Sequence, residues 1–327
     1  MSDKRLCTSF IITKNVESEN WGSTYEILVC TANAILVVPT VLFNVLVILT
    51  ITRTPSLRKP SYFLICSLAF TDLGVGILVQ PLYILRKIAA LQKDYDTYCK
   101  LLQAGDILAH LICCPSFFIV TATSVDRYLA ITTGVKYRTI VTTTRIVWTG
   151  ICALMFAATV TSIRIAAKKE KYMAFAAVIM FFCLIIIVIC YSKSLAALKK
   201  LQGRVGHNGS IVHKEDLPPK SFDIAQYKKA LITMGIITSI LFICYIPFVS
   251  VVIGIAIKGR SPSLNLAREI TFTLLYVNSC LTPLVYGLRS NELKAACKDM
   301  LVGVIRRAST PVEMTDAERT ERVTTSG

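Results

Sequence analysis

Charge is scarce in this chain. Asp, Glu, Lys and Arg make up 17% of its 327 residues, against about 25% in a soluble globular domain. With 54% hydrophobic residues beside that deficit, the composition points to a membrane protein. Histidine is scarcer still, with three residues, at 110, 207 and 213. The twelve cysteines include no CxxC pair and no Cys/His cluster at metal-ligand spacing, so no metal centre of that kind is expected. There is no nucleophile–base pair and no phosphate-cradling glycine loop, so the chain is not expected to be an enzyme. The N-terminal stretch MSDKRLCTSFIITKNVESENW lacks the basic start, apolar core and cleavage site of a signal peptide. The first apolar segment is therefore expected to act as its own uncleaved signal. The alternating pattern of membrane strands is also missing, which leaves helices. Hydropathy does not repeat between the two halves, and that weighs against a transporter.

What the chain has instead is seven long apolar stretches, at about 27–51, 62–85, 100–131, 145–163, 172–198, 229–257 and 267–288. Most reach the roughly 20 residues that cross a hydrocarbon core as a helix. The expected fold is an all-α membrane protein, a seven-transmembrane helix bundle. Its net charge of +16 lies between the apolar runs, where anionic headgroups and the positive-inside rule account for it without nucleic acid. With the N-terminus (1–26) outside, 22 of the 36 Lys and Arg fall on the cytoplasmic side. The outward connections RKIAALQKDYDTYCK, RIAAKKEK and KGRSPSLNLAR are basic as well. Anchoring at the interface is the preferred reading of them, ahead of attraction for an anionic ligand. Residues 199–228 form a long polar cytoplasmic loop holding the sequon Asn208-Gly209-Ser210, which on this topology stays unglycosylated. An amphipathic helix along the inner membrane surface is expected over 289–302, with Leu293, Ala296, Cys297, Met300 and Leu301 on its apolar face. On that face Cys297 is a palmitoylation candidate. The tail, 303–327, is hydroxyl-rich and expected to be disordered.

Polar side chains deep in such spans are costly and mark function. They are Asn44 in the first, Asp72 in the second, and Asp106, Ser116 and Asp126-Arg127 in the third. The seventh adds Asn278-Ser279. Pro247 in the sixth span and Pro283 in the seventh each remove a helix hydrogen bond and permit a kink. An Asn in the first helix, LAFTD in the second, Asp126-Arg127-Tyr128 ending the third, CYIP in the sixth and TPLVY in the seventh together resemble the rhodopsin-like G-protein-coupled receptors. The resemblance spans roughly residues 27–301. It implies a plasma-membrane receptor whose partner is a heterotrimeric G protein, with arrestin and a receptor kinase as further partners and the lipid bilayer as solvent. It also implies that Asp126 holds Arg127 while the receptor is quiet. On activation the sixth helix swings outward, and Tyr191 and Tyr286 meet near that Arg. By the same resemblance Tyr245 and Pro247 form a hinge in the sixth helix. No cofactor is implied except an allosteric sodium ion, held by Asp72, Ser116, Asn278 and Ser279.

Several positions depart from the family pattern. Leu102 stands where the usual third-helix cysteine would be, so Cys99 either pairs with Cys7 or stays free. Thr282 replaces the usual Asn before Pro283, and Tyr245 the usual Trp. The short second outer loop and the absence of the fifth-helix proline, with Cys183 in its place, resemble melanocortin, cannabinoid and related lipid receptors. A melanocortin-like peptide or a lipid is therefore the favoured ligand, with an amine or nucleoside as the alternative. Ala109 occupies the position of the amine-binding acid, and Tyr276 that of the retinal lysine, which removes a photopigment. Asp106, His110 and Tyr276 are the candidate pocket residues. At the inner end, Tyr227 replaces an acid that clasps the Arg in some members, which predicts raised basal signalling. Ser309, in RRAS, is a basophilic-kinase candidate.

Overall fold

The computed structural model describes residues 22–166, 169–207, 224–259 and 261–309. Seven of its helices are long and apolar enough to cross a bilayer, and each contains one of the expected stretches. In chain order they are α1 (Gly22–Arg53), α2 (the span Pro60–Leu91), α3 (Tyr95–Thr132), α4 (Thr143–Ala166), α5 (Lys169–His207), α6 (Ile224–Lys258) and α7 (Pro262–Arg289). A shorter α8 (Asn291–Ser309) follows. Among the described residues there is no strand. α8 continues to Ser309 rather than ending at residue 302, because Leu301, Val302 and Ile305 extend its apolar positions. The N-terminal residues through 21, the sequon at Asn208 and the tail beyond Ser309 lie outside the described residues.

The bundle turns apolar side chains to the outside and buries many of its polar ones, the arrangement a lipid solvent selects. On α1, Leu28, Ile35 and Leu42 are exposed while Asn33, Thr40 and Asn44 are fully buried. Those polar residues recur at helical spacing and bind α1 to its neighbours. Asn44 donates to the carbonyl oxygens of Thr40 (2.8 Å) and of Ser279 on α7 (3.2 Å). Asn33 donates to the Thr273 hydroxyl on the same helix (3.0 Å). The main apolar core lies in the inner half, where Leu68, Phe117, Ile187, Leu241, Tyr286 and Leu293 pack together.

α2 is interrupted by a π turn at Val75–Val79, closed by the Gln80 N–H donating to the Val75 carbonyl. Pro81 explains it. The ring has no N–H for the carbonyl of Ile77 and crowds it, so the turn widens. Within that turn Gly76 lets α2 approach α1 closely. A Cβ there would lie 3.0 Å from Val41 Cγ2 and 3.1 Å from Thr40 Cγ2.

The outer connections are tight and capped. Asp94 accepts from the Thr97 N–H (3.1 Å) to start α3, with Lys93 at φ +58° just before it. Ser261 accepts from Leu264 N–H (3.3 Å) to start α7, and Pro262 supplies its first turn. Cys99, near the start of α3, is disulfide-bonded. The other ten described cysteines are all free, so its partner lies outside the described residues. Of the two alternatives open in the sequence, pairing is the one realised.

Gly76→Leu is expected to destabilise the bundle by about 1–3 kcal/mol through overpacking. The measurement is the thermal unfolding midpoint of purified receptor in detergent, which should fall relative to wild type.

Candidate functional site

At the inner mouth, the end of α3 brings together the expected acid and base. Arg127 Nε donates to Asp126 Oδ2 (3.0 Å), and its NH2 group contacts both that oxygen and the Ser61 hydroxyl on α2. Asp126 is also held from two other directions. Ser61 donates to Oδ2 (3.2 Å), and Tyr137, in the connection to α4, donates to Oδ1 (2.5 Å). Burial and the neighbouring carboxylate push the Tyr137 phenol up to about 12, so it remains a donor across the physiological range. The Asp126 side chain is 3% exposed and that of Arg127 18%, so the cation is the more accessible partner. Ser61 and Tyr137 were not singled out from sequence. They lie 65 and 11 residues from Asp126, and only the fold brings them to it.

Other inner-end residues fall as follows. Tyr128 lies beneath the ammonium of Lys193 on α5, 6.0 Å from ring centre. Tyr286 is buried in the main core, and Tyr191 packs on a separate cluster with Leu198 and Leu231. The two tyrosines thus sit in different clusters. Lys229 on α6 donates to the Asn291 side chain at the start of α8. The side chain of Tyr227 lies outside the described residues, as does that of Ser309.

In the middle of the bundle, Asp72 is buried beside Ser279. Its Oδ2 has no hydrogen-bond partner, and neither does Asn278 Oδ1 on the adjoining residue of α7. Ser116 donates to its own helix at Ile112 (3.3 Å), and Thr282 does the same at Asn278 (2.8 Å). Two orphaned buried oxygens beside a carboxylate–hydroxyl pair form an all-oxygen donor set, which fits a small hard cation. Tyr245 stacks edge-on against Phe117 of α3, with ring centroids 4.5 Å apart, just before Pro247 in α6.

The outer third holds a constellation that the sequence reading missed. Glu269 on α7 accepts from Tyr83 OH (2.7 Å) and Arg86 NH2 (3.1 Å), both on α2. Lys87 Nζ lies 2.9 Å from Glu269 and 2.9 Å from Glu26 of α1, and Arg268 lies 3.2 Å from Glu269. The side chains of Arg86, Lys87, Glu26 and Glu269 are each 3–8% exposed. Arg86 also stacks over Tyr83, 4.7 Å from the ring centre, and lies in the electrostatic field of Asp106. Tyr276 packs edge-on against Tyr83 (5.5 Å). His110 Nδ1 sits 2.5 Å from the Asp106 carbonyl, one turn back on its own helix. The expectation that the outward Arg and Lys anchor at headgroups is therefore corrected for Arg86, Lys87 and Arg268, which are pulled inward by buried acids. Opposite charges at matching outer depth in α1, α2 and α7 were the available signal.

Cys297 also needs correction. Rather than facing the bilayer, it packs partly buried against the core, and burial pushes its thiol up. Leu301, Val302 and Ile305 form the exposed apolar face of α8 instead.

Comparison with known proteins agrees with this geometry. The profile of the 7 transmembrane receptor (rhodopsin family) matches residues 43–170 and 152–286. The histamine H2 receptor of Cavia porcellus is 23% identical over 296 residues, which are 84% of this chain and 79% of that receptor. Between them the two matched segments cover Asp72, the Asp126–Arg127 pair and Pro283, and the chain belongs to the rhodopsin family of seven-transmembrane receptors.

Proposed function

We propose that this receptor sits in the plasma membrane with its N-terminus outside and passes the binding of an extracellular ligand to a heterotrimeric G protein. The observation that carries the reading is the grip of Asp126, Ser61 and Tyr137 on the inner-mouth pair. A guanidinium has donors to offer in several directions, so it can leave one acceptor for another. In the quiet state Asp126 provides that acceptor, and a docking G protein offers a competing one once α6 has moved. Ligand binding acts by stabilising the state in which the exchange is complete. Solute transport, the non-receptor alternative, gains no support from a family of signalling receptors.

For the ligand, a melanocortin-like peptide or a lipid remains favoured over an amine or nucleoside. Ala109 stands where an amine-binding acid is expected, and Asp106, one turn earlier on the same helix, lies in the electrostatic field of Arg86. The relative with histamine in its name is similar only at 23% identity. Sodium is proposed to sit at Asp72, Ser279 and Asn278, with Ser116 turning from Ile112 to join them. The ion would supply positive charge to the buried carboxylate and so favour the quiet packing. Ser309 is retained as a kinase target and the tail as an arrestin-recruiting segment.

Three outcomes test these readings. Arg127→Ala should reduce ligand-stimulated guanine-nucleotide exchange in membranes to the level of mock-transfected cells, while surface expression and ligand binding persist. An unchanged exchange rate would remove the coupling role. Replacing sodium by choline should raise basal exchange in wild type and leave Asp72→Asn unaffected. Equal responses in the two proteins would remove the sodium site. Glu269→Gln leaves buried cations without their shared carboxylate and should cost about 3–5 kcal/mol of stability, read as a lower unfolding midpoint in detergent. A midpoint equal to that of wild type would show that the outer cluster does not hold α7.

A further inference from the structure

Gly235 lies inside α6, three turns inward of Pro247. Glycine is a poor choice within a helix, since it exposes backbone and loses more conformational freedom than alanine. What it faces on α5 supplies a reason. A Cβ built on Gly235 would meet Tyr191 and lie 2.7 Å from Cζ and 3.2 Å from Cε2, with the hydroxyl oxygen closer still. All three nearest atoms belong to that one phenol ring. By contrast, a Cβ at Gly150, Gly287 or Gly303 would meet nothing within 4 Å. The ring of Tyr191 therefore rests directly on the α6 backbone, in a notch that only a residue without a side chain leaves open.

That contact is part of the inner closure of the bundle. Tyr191 packs with Leu195 on α5, against a cluster of the buried Leu198 and Leu231 that also includes Ala130 and Ile131 of α3. Among the described residues no hydrogen bond fixes the Tyr191 hydroxyl, so shape alone seats it. A methyl group in the notch leaves two ways out. Either the ring swings free of the cluster, or the inner half of α6 moves off α5. Both loosen the packing that brings α3, α5 and α6 together.

We propose that Gly235 is a positioning residue for the coupling switch. By accepting the Tyr191 ring against its backbone, it lets α6 close on α5 and α3 in the quiet receptor. The size of the side chain at this position thereby sets the balance between quiet and coupling-competent states. This rests on the coupling reading above, because it assumes that opening α6 promotes nucleotide exchange.

The test is Gly235→Ala in full-length receptor, with basal guanine-nucleotide exchange measured per receptor at the cell surface. Exchange should rise about fivefold or more, the shift that follows from a small loss of quiet-state packing. The same substitution should still raise exchange in a Tyr191→Phe background, where the ring remains. In a Tyr191→Ala background, where the notch is empty, it should leave amide hydrogen exchange at the inner turns of α6 unchanged. A loss of stability without a role in positioning would lower output per receptor instead of raising it. Basal exchange equal to wild type, or an equal rise in the Tyr191→Ala background, overturns the proposal. If Gly235→Ala alone does not reach the surface, recovery of surface expression by Tyr191→Ala supports the steric notch, and failure to recover overturns it.

Amide hydrogen exchange at the inner turns of α6 separates the two readings. If Arg127→Ala shows that exchange does not depend on the switch, faster hydrogen exchange in Gly235→Ala still supports the notch. An unchanged rate overturns it independently.

Discussion

A guanidinium at the inner mouth of a lipid-embedded bundle has two sources of acceptors, the acid beside it and whatever docks from the cytosol. In this structure the acid is the charged acceptor within reach, with the Ser61 hydroxyl beside it. Asp126 is almost wholly buried, and Ser61 and Tyr137 fix its carboxylate from α2 and the connection to α4. The acid is thus an immobile anchor and Arg127 the movable partner. This asymmetry suits the pair to the coupling role proposed for it, because a buried carboxylate already holding two hydroxyls tolerates the departure of one cation better than an isolated acid would.

The rest of the interior extends the same requirement along the membrane normal. Asn44 binds α1 to α7 at Ser279, and Ser279 meets Asp72. Farther out, Glu269 collects cations from α2 and its own helix. α7 is therefore held at two levels by polar contacts, while α6 meets its neighbours mainly through apolar and aromatic ones such as Tyr245 on Phe117. Directional contacts fix a register, whereas apolar packing permits sliding and tilting. The helix expected to move is the one held by the less directional contacts.

Much of this was legible in the chain. Apolar runs long enough to span a bilayer located all seven helices, and the rarity of polar residues within them singled out Asn44, Asp72 and the Asp126–Arg127 pair. What the sequence did not convey was partnership across helices. Arg86 and Lys87 read as loop-proximal cations, because the acids that draw them inward stand on α1 and α7, far away in the chain. Ser61 is an ordinary first-turn residue until the fold puts it beside Asp126. Cys297 was placed on the lipid side by helical periodicity, yet a helix lying against a bundle has two apolar margins, and packing against the core marks this one as the inner. Gly235 gave no signal, since a glycine in a helix shows nothing of what leans on it.

The widened turn at Val75–Val79 has a consequence for the outer cluster. Each residue of an α-helix advances the side chain by about 100°, so a turn holding one extra residue resets the angular phase of everything beyond it. Gln80–Leu91 is the part of α2 that follows, and it carries Tyr83, Arg86 and Lys87. Their azimuth therefore depends on how many residues the turn contains as well as on which ones. An insertion or deletion within 75–79 would rotate two cations away from their acids and toward hydrocarbon.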